Sequence, residues 1–537
     1  GDAADRRVGR RSGHVSLLAG SAKLIALDLD AAVRRTLANS TDVRVVSFDP
    51  AIARQDMVQA AAAFDAIVFA DWTYKDTDEQ TATLGLPSMA DDRELTAGVR
   101  QTIPTGGTWE LSWMMNRSWS NSAFAAVATT YEQQLGLQVT QPLLRNAWPA
   151  FNLADLRIAR INHRITAQQF RQTVEETLAE VINTYWTLHQ ARVNTQIQQR
   201  LLDATERTLR RVRARGELDA TAVQLKQAES AVASRRAELI RARKTILDAL
   251  DALARLLSDS QLNLLDPYEL IPTTPLADAR LIVDLQERIL TALAHSPQLE
   301  QIRLGVQGSD IEIQVAENQL LPELNVSAGT HLQGLSGARQ QTTENLWTGD
   351  YVSYNLALSF EYPLGNRQAK AGLRRARYQK LQRLTRLQNL SDQVAQQVKE
   401  RVRELEARWS ELQAQRKAVT AARQQLQALN DIEEVRGELS PEFLDLKLTT
   451  QERLANAERA QAVALTAYNT ARTDLARITG TVWERFGVRI VQPMLDADGM
   501  WDAPRRPESP DEAPPAEPAE PVDAPRRDGP ETTPTGD

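Results

Sequence analysis

The chain has 537 residues, a net charge of −7 and no cysteine. That length exceeds one ordinary core, the modest negative charge argues against a nucleic-acid partner, and the missing thiols exclude disulfides, thiol catalysis and cysteine-ligated metals. No apolar run reaches the roughly 18 residues of a membrane-spanning helix, which leaves a transmembrane β-barrel open, because its signal is weak and alternating.

Residues 1–24 are polar and arginine-rich and are expected to be loosely held; without an initial methionine or an apolar leader the chain reads as a mature or trimmed form. A lipid anchor would need a cysteine near the start, and none is there. A first helix runs from Leu29 through Asn39. Four segments of period two follow, the mark of strands with two different environments. Val68, Ala70, Trp72 and Tyr74 belong to the first, Leu95, Ala97, Val99 and Ile103 to the second, Trp109, Leu111, Trp113 and Met115 to the third, and Leu135, Leu137 and Val139 to the fourth. Pro104-Thr105-Gly106-Gly107 is a tight turn, whereas the connections at about 77–93 and 118–130 are longer. Short turns on one side and long loops on the other are the pattern of outer-membrane barrels.

From about Asn152 to Arg215 there is no proline or glycine, which predicts roughly 95 Å of helix. Val174, Leu178, Val181, Tyr185 and Leu188 step by four and three like a heptad seam, as do Ile246, Leu250, Leu253 and Leu257 in the returning helix, so the seams are expected to need neighbours. Gly216 and Gly437 suit the positive φ that ends a helix before it reverses. In the second half two cleaner strands alternate, Leu324 to Leu332 and Val352 to Tyr362, with a polar loop expected over 333–350. A second long helix, roughly 100 Å, is predicted from about Gln368 to Val435. The Pro- and Glu-rich tail, 491–537, cannot bury a core and is expected to be disordered.

The halves repeat. Gln141-Pro142-Leu143 recurs as Tyr362-Pro363-Leu364, and Arg215-Gly216-Glu217-Leu218 recurs as Arg436-Gly437-Glu438-Leu439, both 221 residues on. Leu37-Ala38-Asn39-Ser40 matches Leu293-Ala294-His295-Ser296 at 256, so copy one carries about 35 extra residues (256 − 221), a surplus strand hairpin. Such a repeat outranks local motifs because it sets the architecture. A single hairpin of this kind reads equally well as an ordinary coiled-coil arm; two at matched spacing, each following strands and a proline, do not.

These landmarks resemble the TolC-type outer-membrane efflux proteins over about residues 25–490. The resemblance rests on the first helix, on Leu321-Pro322-Glu323-Leu324 opening a strand, on Gln141-Pro142-Leu143-Leu144 closing the strands of copy one, and on Val223-Gln224-Leu225 and Leu444-Asp445-Leu446 after the turns. Ile478-Thr479-Gly480 ends the last helix in the family's manner. The family implies an α+β fold: antiparallel helical hairpins forming a coiled-coil tunnel, and strands contributing to one shared homotrimeric barrel, usually twelve-stranded with two strands per copy. The surplus hairpin departs from that pattern. So do Asp65-Ala66, where leucine-proline is usual, and the acids at the tip, which do not match position for position.

The expected organisation is a flexible segment 1–24, repeat one at 25–260 with strands at about 66–142, repeat two at 261–490 with strands at about 322–363, and the tail. Glu442 and Asp445 share a helical face after Gly437; in three chains they would ring the tunnel mouth and favour cations, with Glu434 and Arg436 as further gate groups. The plain alternative is a solvated helix start, where acids are favoured anyway. The turns Arg215, Gly216, Glu217, Leu218 and Arg436, Gly437, Glu438, Leu439 are expected to dock a periplasmic adaptor. Leu356, Leu358 and Phe360 are expected to face outer-membrane lipid, with the strand aromatics as interfacial girdles.

The histidines at 14, 163, 189, 295 and 331 have no ligand spacing, and no nucleophile elbow or phosphate loop occurs. No metal, cofactor or enzymatic activity is therefore expected. The functional expectation is a passive trimeric duct of a tripartite efflux or type I secretion system, energised by an inner-membrane transporter, located in the outer membrane with its helices in the periplasm. The rival from another class is a structural coiled-coil protein that spans the envelope without transport; alternating strands distinguish the two, since a scaffold needs no lipid-facing face.

Overall fold

The structure, a computed structural model, describes residues 23–80, 88–122, 125–215, 222–259, 262, 268–436, 440–483 and 486. In chain order these form β1 (Lys23–Leu27), α1 (Leu29–Asn39), α2 (Thr41–Ala61), β2 (Ile67–Asp78), β3 (Met89–Thr102), β4 (Thr108–Ser120), β5 (Thr129–Pro142), α3 (Ala154–Arg215) and α4 (Ala222–Leu257). Then come β6 (Tyr268–Pro272), α5 (Leu285–His295), α6 (Pro297–Asn318), β7 (Glu323–Ser336), α7 (Arg339–Thr348), β8 (Val352–Glu361), α8 (Arg367–Arg436) and α9 (Pro441–Ile478). The four strands of the first half, the two of the second and both long helices fall where the hydrophobic periods put them. The flexible segment (but for Lys23 and Leu24, which open β1), the tail and the two glycine turns lie outside the described residues.

Local chemistry explains the helix starts. Ser40 ends α1 and its hydroxyl caps α2 at Val43; Ser296 ends α5 and caps α6 at Leu299, with Pro297 at the first helical position. Both satisfy amides that the helix itself leaves bare. At 62 and 70 residues, α3 and α8 are about 93 and 105 Å long.

The seam finds the neighbours it was expected to need inside the chain, on the returning helix. Val174, Leu178, Val181, Tyr185 and Leu188 of α3 are buried against Ile246, Leu250, Leu253 and Leu257 of α4, with α1 and β6 closing the cluster. A second core joins α8 to α9 through Val394, Val398, Val402, Leu405, Tyr468 and Leu475. Two tyrosines tie the passing chain to the helices. Tyr185 donates to the Leu27 carbonyl at 3.0 Å and accepts from the Thr274 amide, and Tyr468 donates to the Ala279 carbonyl at 2.9 Å and accepts from the Leu281 amide. The parallel pair β1–β6 had no sequence signal: five residues each, too short for a period to register.

Strands β2-β3-β4-β5-β7-β8 form one antiparallel six-stranded sheet. Its tight turn lies against the strand-to-helix junction. The Trp148 amide donates to the Thr105 carbonyl, and a Cβ at Gly106, whose φ is +88°, would sit 2.3 Å from the Asn146 carbonyl oxygen. The loop expected over 333–350 is corrected: β7 continues to Ser336 and α7 follows. Helix α7 folds back on β5 and β7 through Gln133–Thr343 (3.0 Å) and Thr342–Tyr131 carbonyl (3.2 Å) bonds. Gly334 permits the approach, since a Cβ there would lie 2.2 Å from the Thr342 carbonyl oxygen. Mean composition hid this helix, because only Thr342 and Leu346 of it are buried.

Candidate functional site

Two regions are built to do something: the sheet and the far end of the helical hairpins. In the sheet, direct cross-strand partners run Ala70, Ala97, Trp113, Leu135, Leu332, Val352. Partners directly opposite share a face, so the apolar sets of all six strands lie on one side. Leu111 sits between Val99 and Leu137, and Leu358 beside Val326. The other side carries Ser112, Gly136 and His331 in one row and Asn116, Glu132 and Leu335 in another. Leu356, Leu358 and Phe360 are 80, 69 and 67% exposed. Ser359 and Glu361 on the opposite side are exposed too, because β8 is an edge strand. Burial in one chain thus does not separate the two faces of β8; register does. No described helix is long and apolar enough to cross a membrane.

At the helical end, α3 closes at Arg215 and α8 at Arg436. The side chains of these arginines, and Gly216, Glu217, Leu218, Gly437, Glu438 and Leu439 entirely, lie outside the described residues. Glu434 is exposed on the last turn of α8. Ser440 caps α9, its hydroxyl accepting from the Phe443 amide at 3.2 Å. Glu442 is exposed in the first turn; its own amide and the Ser440 hydroxyl hold its carboxyl below the ordinary range. Asp445, also exposed, accepts a 2.7 Å bond from Gln227 of α4. The two acids do share a face, yet one is engaged in its own helix cap and the other joins α9 to α4.

The strongest electrostatics here escaped the sequence reading. Lys447 of α9 is 1% exposed and pairs with Glu433 of α8, which also accepts from Arg211 of α3 at 2.9 Å. Burial lowers the Lys447 pKa and Glu433 opposes the shift. Next to it Arg235 of α4 is buried, donating to Thr205, to the Leu448 carbonyl at 2.7 Å and to Gln451 at 3.3 Å, with its own pKa lowered by desolvation. Four helices therefore meet at two buried cations. A signal existed: Lys447 stands between Leu444 and Leu448 on the apolar stripe of α9, and Arg235 between Val232 and Leu239 on that of α4. A groove of about 800 Å³ opens beside Lys447, lined by Arg207, Arg211, Leu426, Asn430, Glu433 and Glu434. The acidic pair is thus not the sole charge at this end. Among the described residues no carboxylate or histidine cluster could hold a metal.

A strand sheet mounted on two very long helical hairpins is a fold shared with solved outer-membrane channels. The OprN outer-membrane channel aligns with a TM-score of 0.63 at 16% identity, over 85% of this chain and 90% of that one. The CmeC outer membrane channel of Campylobacter jejuni aligns at 0.62 and 13%, over 84 and 86%. The outer membrane protein VceC of Vibrio cholerae aligns at 0.60 and 15%, over 84 and 96%. The family model described as Outer membrane efflux protein matches residues 108–258, from β4 through α4. The resemblance to TolC-type outer-membrane efflux proteins is borne out by both findings. No curated protein sequence matches the chain.

Proposed function

We propose that three copies of this chain form a passive duct through the outer membrane, the exit channel of a tripartite efflux or type I secretion system for small molecules or proteins. One observation carries the reading: a six-stranded sheet, apolar on one face and polar on the other, is open at both edges and continues into helices of about 93 and 105 Å. An open edge leaves backbone donors and acceptors without partners, which a bilayer does not tolerate, so the sheet must close with other copies. Helix α8 adds an exposed apolar stripe, Tyr378, Leu381 and Leu384. A scaffold would need neither feature.

On this reading the helices lie in the periplasm, and the chain is a two-fold repeat, 25–260 and 261–490. The matched Ser40 and Ser296 caps support the repeat. Nothing in the duct supplies energy; an inner-membrane transporter does so, through an adaptor docked on the turns at Arg215–Leu218 and Arg436–Leu439. Light scattering of the detergent-solubilised protein is expected to give three chains, and a stable monomer would defeat the proposal. Gly216→Val and Gly437→Val are expected to weaken adaptor pull-down with folding retained, because a β-branched residue resists the left-handed conformation that the sequence leads one to expect of a glycine ending a helix. Unchanged pull-down and export in both would remove these turns from the docking site.

Polar contacts suit a gate, since they exchange for water at little net cost. Glu434, Arg436, Glu442 and Asp445 are the groups proposed to set it. The double variant Glu442→Ala/Asp445→Ala is expected to raise basal conductance or lower cation selectivity in planar bilayers, the first through loss of the Asp445–Gln227 tie. Wild-type values for both would place the constriction elsewhere.

A further inference from the structure

We infer that the barrel closes at eighteen strands, the β8 edge of each chain pairing antiparallel with the β2 edge of the next, Tyr354 opposite Tyr74 and Leu356 opposite Trp72. This rests on the trimeric duct and adds its strand number, its joining edges and their register.

The surplus hairpin is part of the sheet. Strand β3 pairs with β4 without interruption from Ala90–Ser120 to Thr102–Thr108, and β2 with β3 from Ile67–Arg100 to Asp78–Met89. Both edges of the sheet are bare: every residue of β8 is exposed, and all of β2 but Phe69 and Thr77. The strands alternate in direction across the sheet, so β8 runs opposite to β2 and the two edges are fit for an antiparallel ladder.

Geometry selects the register. In a row perpendicular to the strands Val352 stands level with Ala70. Level closure would leave only Val352–Asn355 beside β2 and carry Leu356–Glu361 past its end, toward the 3-10 turn Ala62–Phe64 and the end of α2, where no strand exists. The neighbour must slide, and by an even number of residues, or the apolar face would turn inward. A slide of about six residues brings Val352 to Asp76 and places all ten residues of β8 beside the twelve of β2. Six residues of rise over six strand spacings is about 20 Å over about 29 Å, a tilt of about 35°, within the usual range for barrels. A slide of about eight residues also keeps phase, but sets both Val352 and Tyr354 against aspartates, Asp78 and Asp76, on the outer face, where the six-residue slide sets only Val352. The six-residue slide instead places Tyr354, Leu356, Leu358 and Phe360 against Tyr74, Trp72, Ala70 and Val68, and cross-strand aromatic and aliphatic pairs stabilise sheets.

Barrel diameter grows nearly linearly with strand number, so this wall is about 1.5 times as wide as a twelve-stranded one and in the class that holds an open aqueous channel. Size selection then falls to the helical end.

The chain has no cysteine, so an engineered pair reports cleanly. Thr73→Cys/Asn355→Cys puts the two thiols on the polar face of opposite edges. Within one chain they are five strand spacings apart, about 24 Å, beyond disulfide reach. Oxidation of the solubilised protein is expected to give a covalent trimer on denaturing gels, with each single variant remaining monomeric there. A trimer by light scattering that yields no covalent trimer overturns the eighteen-strand closure and leaves the duct standing. Cross-linking by Asn116→Cys/Asn355→Cys does the same, because β4 would then be the closing edge of a twelve-stranded barrel. A monomer by light scattering overturns the trimeric reading itself.

Discussion

Arginine at Leu358 is expected to destabilise the solubilised and lipid-reconstituted protein by about 2–4 kcal/mol, the cost of a charge on the lipid face near the bilayer midplane. Arginine at Ser359, one residue on, is expected to cost far less, because its side chain turns to the polar face. The expectation draws on register: Leu358 lies opposite Val326 and Ser359 opposite Asn325. Denaturant unfolding in lipid vesicles measures both. Tolerance at Leu358 with loss at Ser359 would reverse the facing of the whole sheet, since the six strands share one phase.

The second large effect is expected at the helical end. Lys447→Ala removes one partner of a pair whose lysine is 1% exposed. Glu433 keeps Arg211 at 2.9 Å but loses its buried cation, and a methylene stem is lost from the packing between Leu444 and Leu448. Because Glu433 keeps Arg211, the loss is expected below the roughly 3–5 kcal/mol of stranding a buried charge, which Glu433→Ala imposes by leaving Lys447 without its carboxylate. Glu433→Ala alone is expected to destabilise as well, and the double variant less than the sum, a coupling that a double-mutant cycle reads directly. Additive losses would show that the pair carries no energy of its own.

The pH response has a definite sign. Burial depresses the Lys447 pKa below that of the unfolded chain, so between those two values the unfolded state binds more protons. Stability of the hairpin end therefore rises as pH climbs from the folded value toward the ordinary lysine value, and the rise is absent in Lys447→Met. A flat profile in the parent protein would remove Lys447 from the account.

Much of the architecture was legible because it is periodic. The α3 seam and the long prolineless runs repeat over ten or more residues and the alternation in β2, β4, β5, β7 and β8 over about five to eleven, enough to register in the sequence. The six strands of the large sheet and the tight turn at Gly106 were equally local.

What only the tertiary structure decided is non-local or aperiodic. The β1–β6 pair joins residues 245 positions apart through five-residue strands. Helix α7 exists because Gly334 lets it lie on the sheet, a contact no window of sequence contains. At the helical end the sequence named Glu434, whereas Glu433 is the residue that reaches Lys447 and Arg211. One position on a helix turns a side chain by about 100°, so which of two adjacent acids points into the junction depends on how α8 is rotated against α3 and α9. Sequence alone determined that a seam and an alternating sheet exist. The packed chain decided that the seam is closed within itself and that the sheet is not, because a buried stripe can be satisfied by the helix that folds back on it, while the two edges of an open sheet cannot satisfy each other.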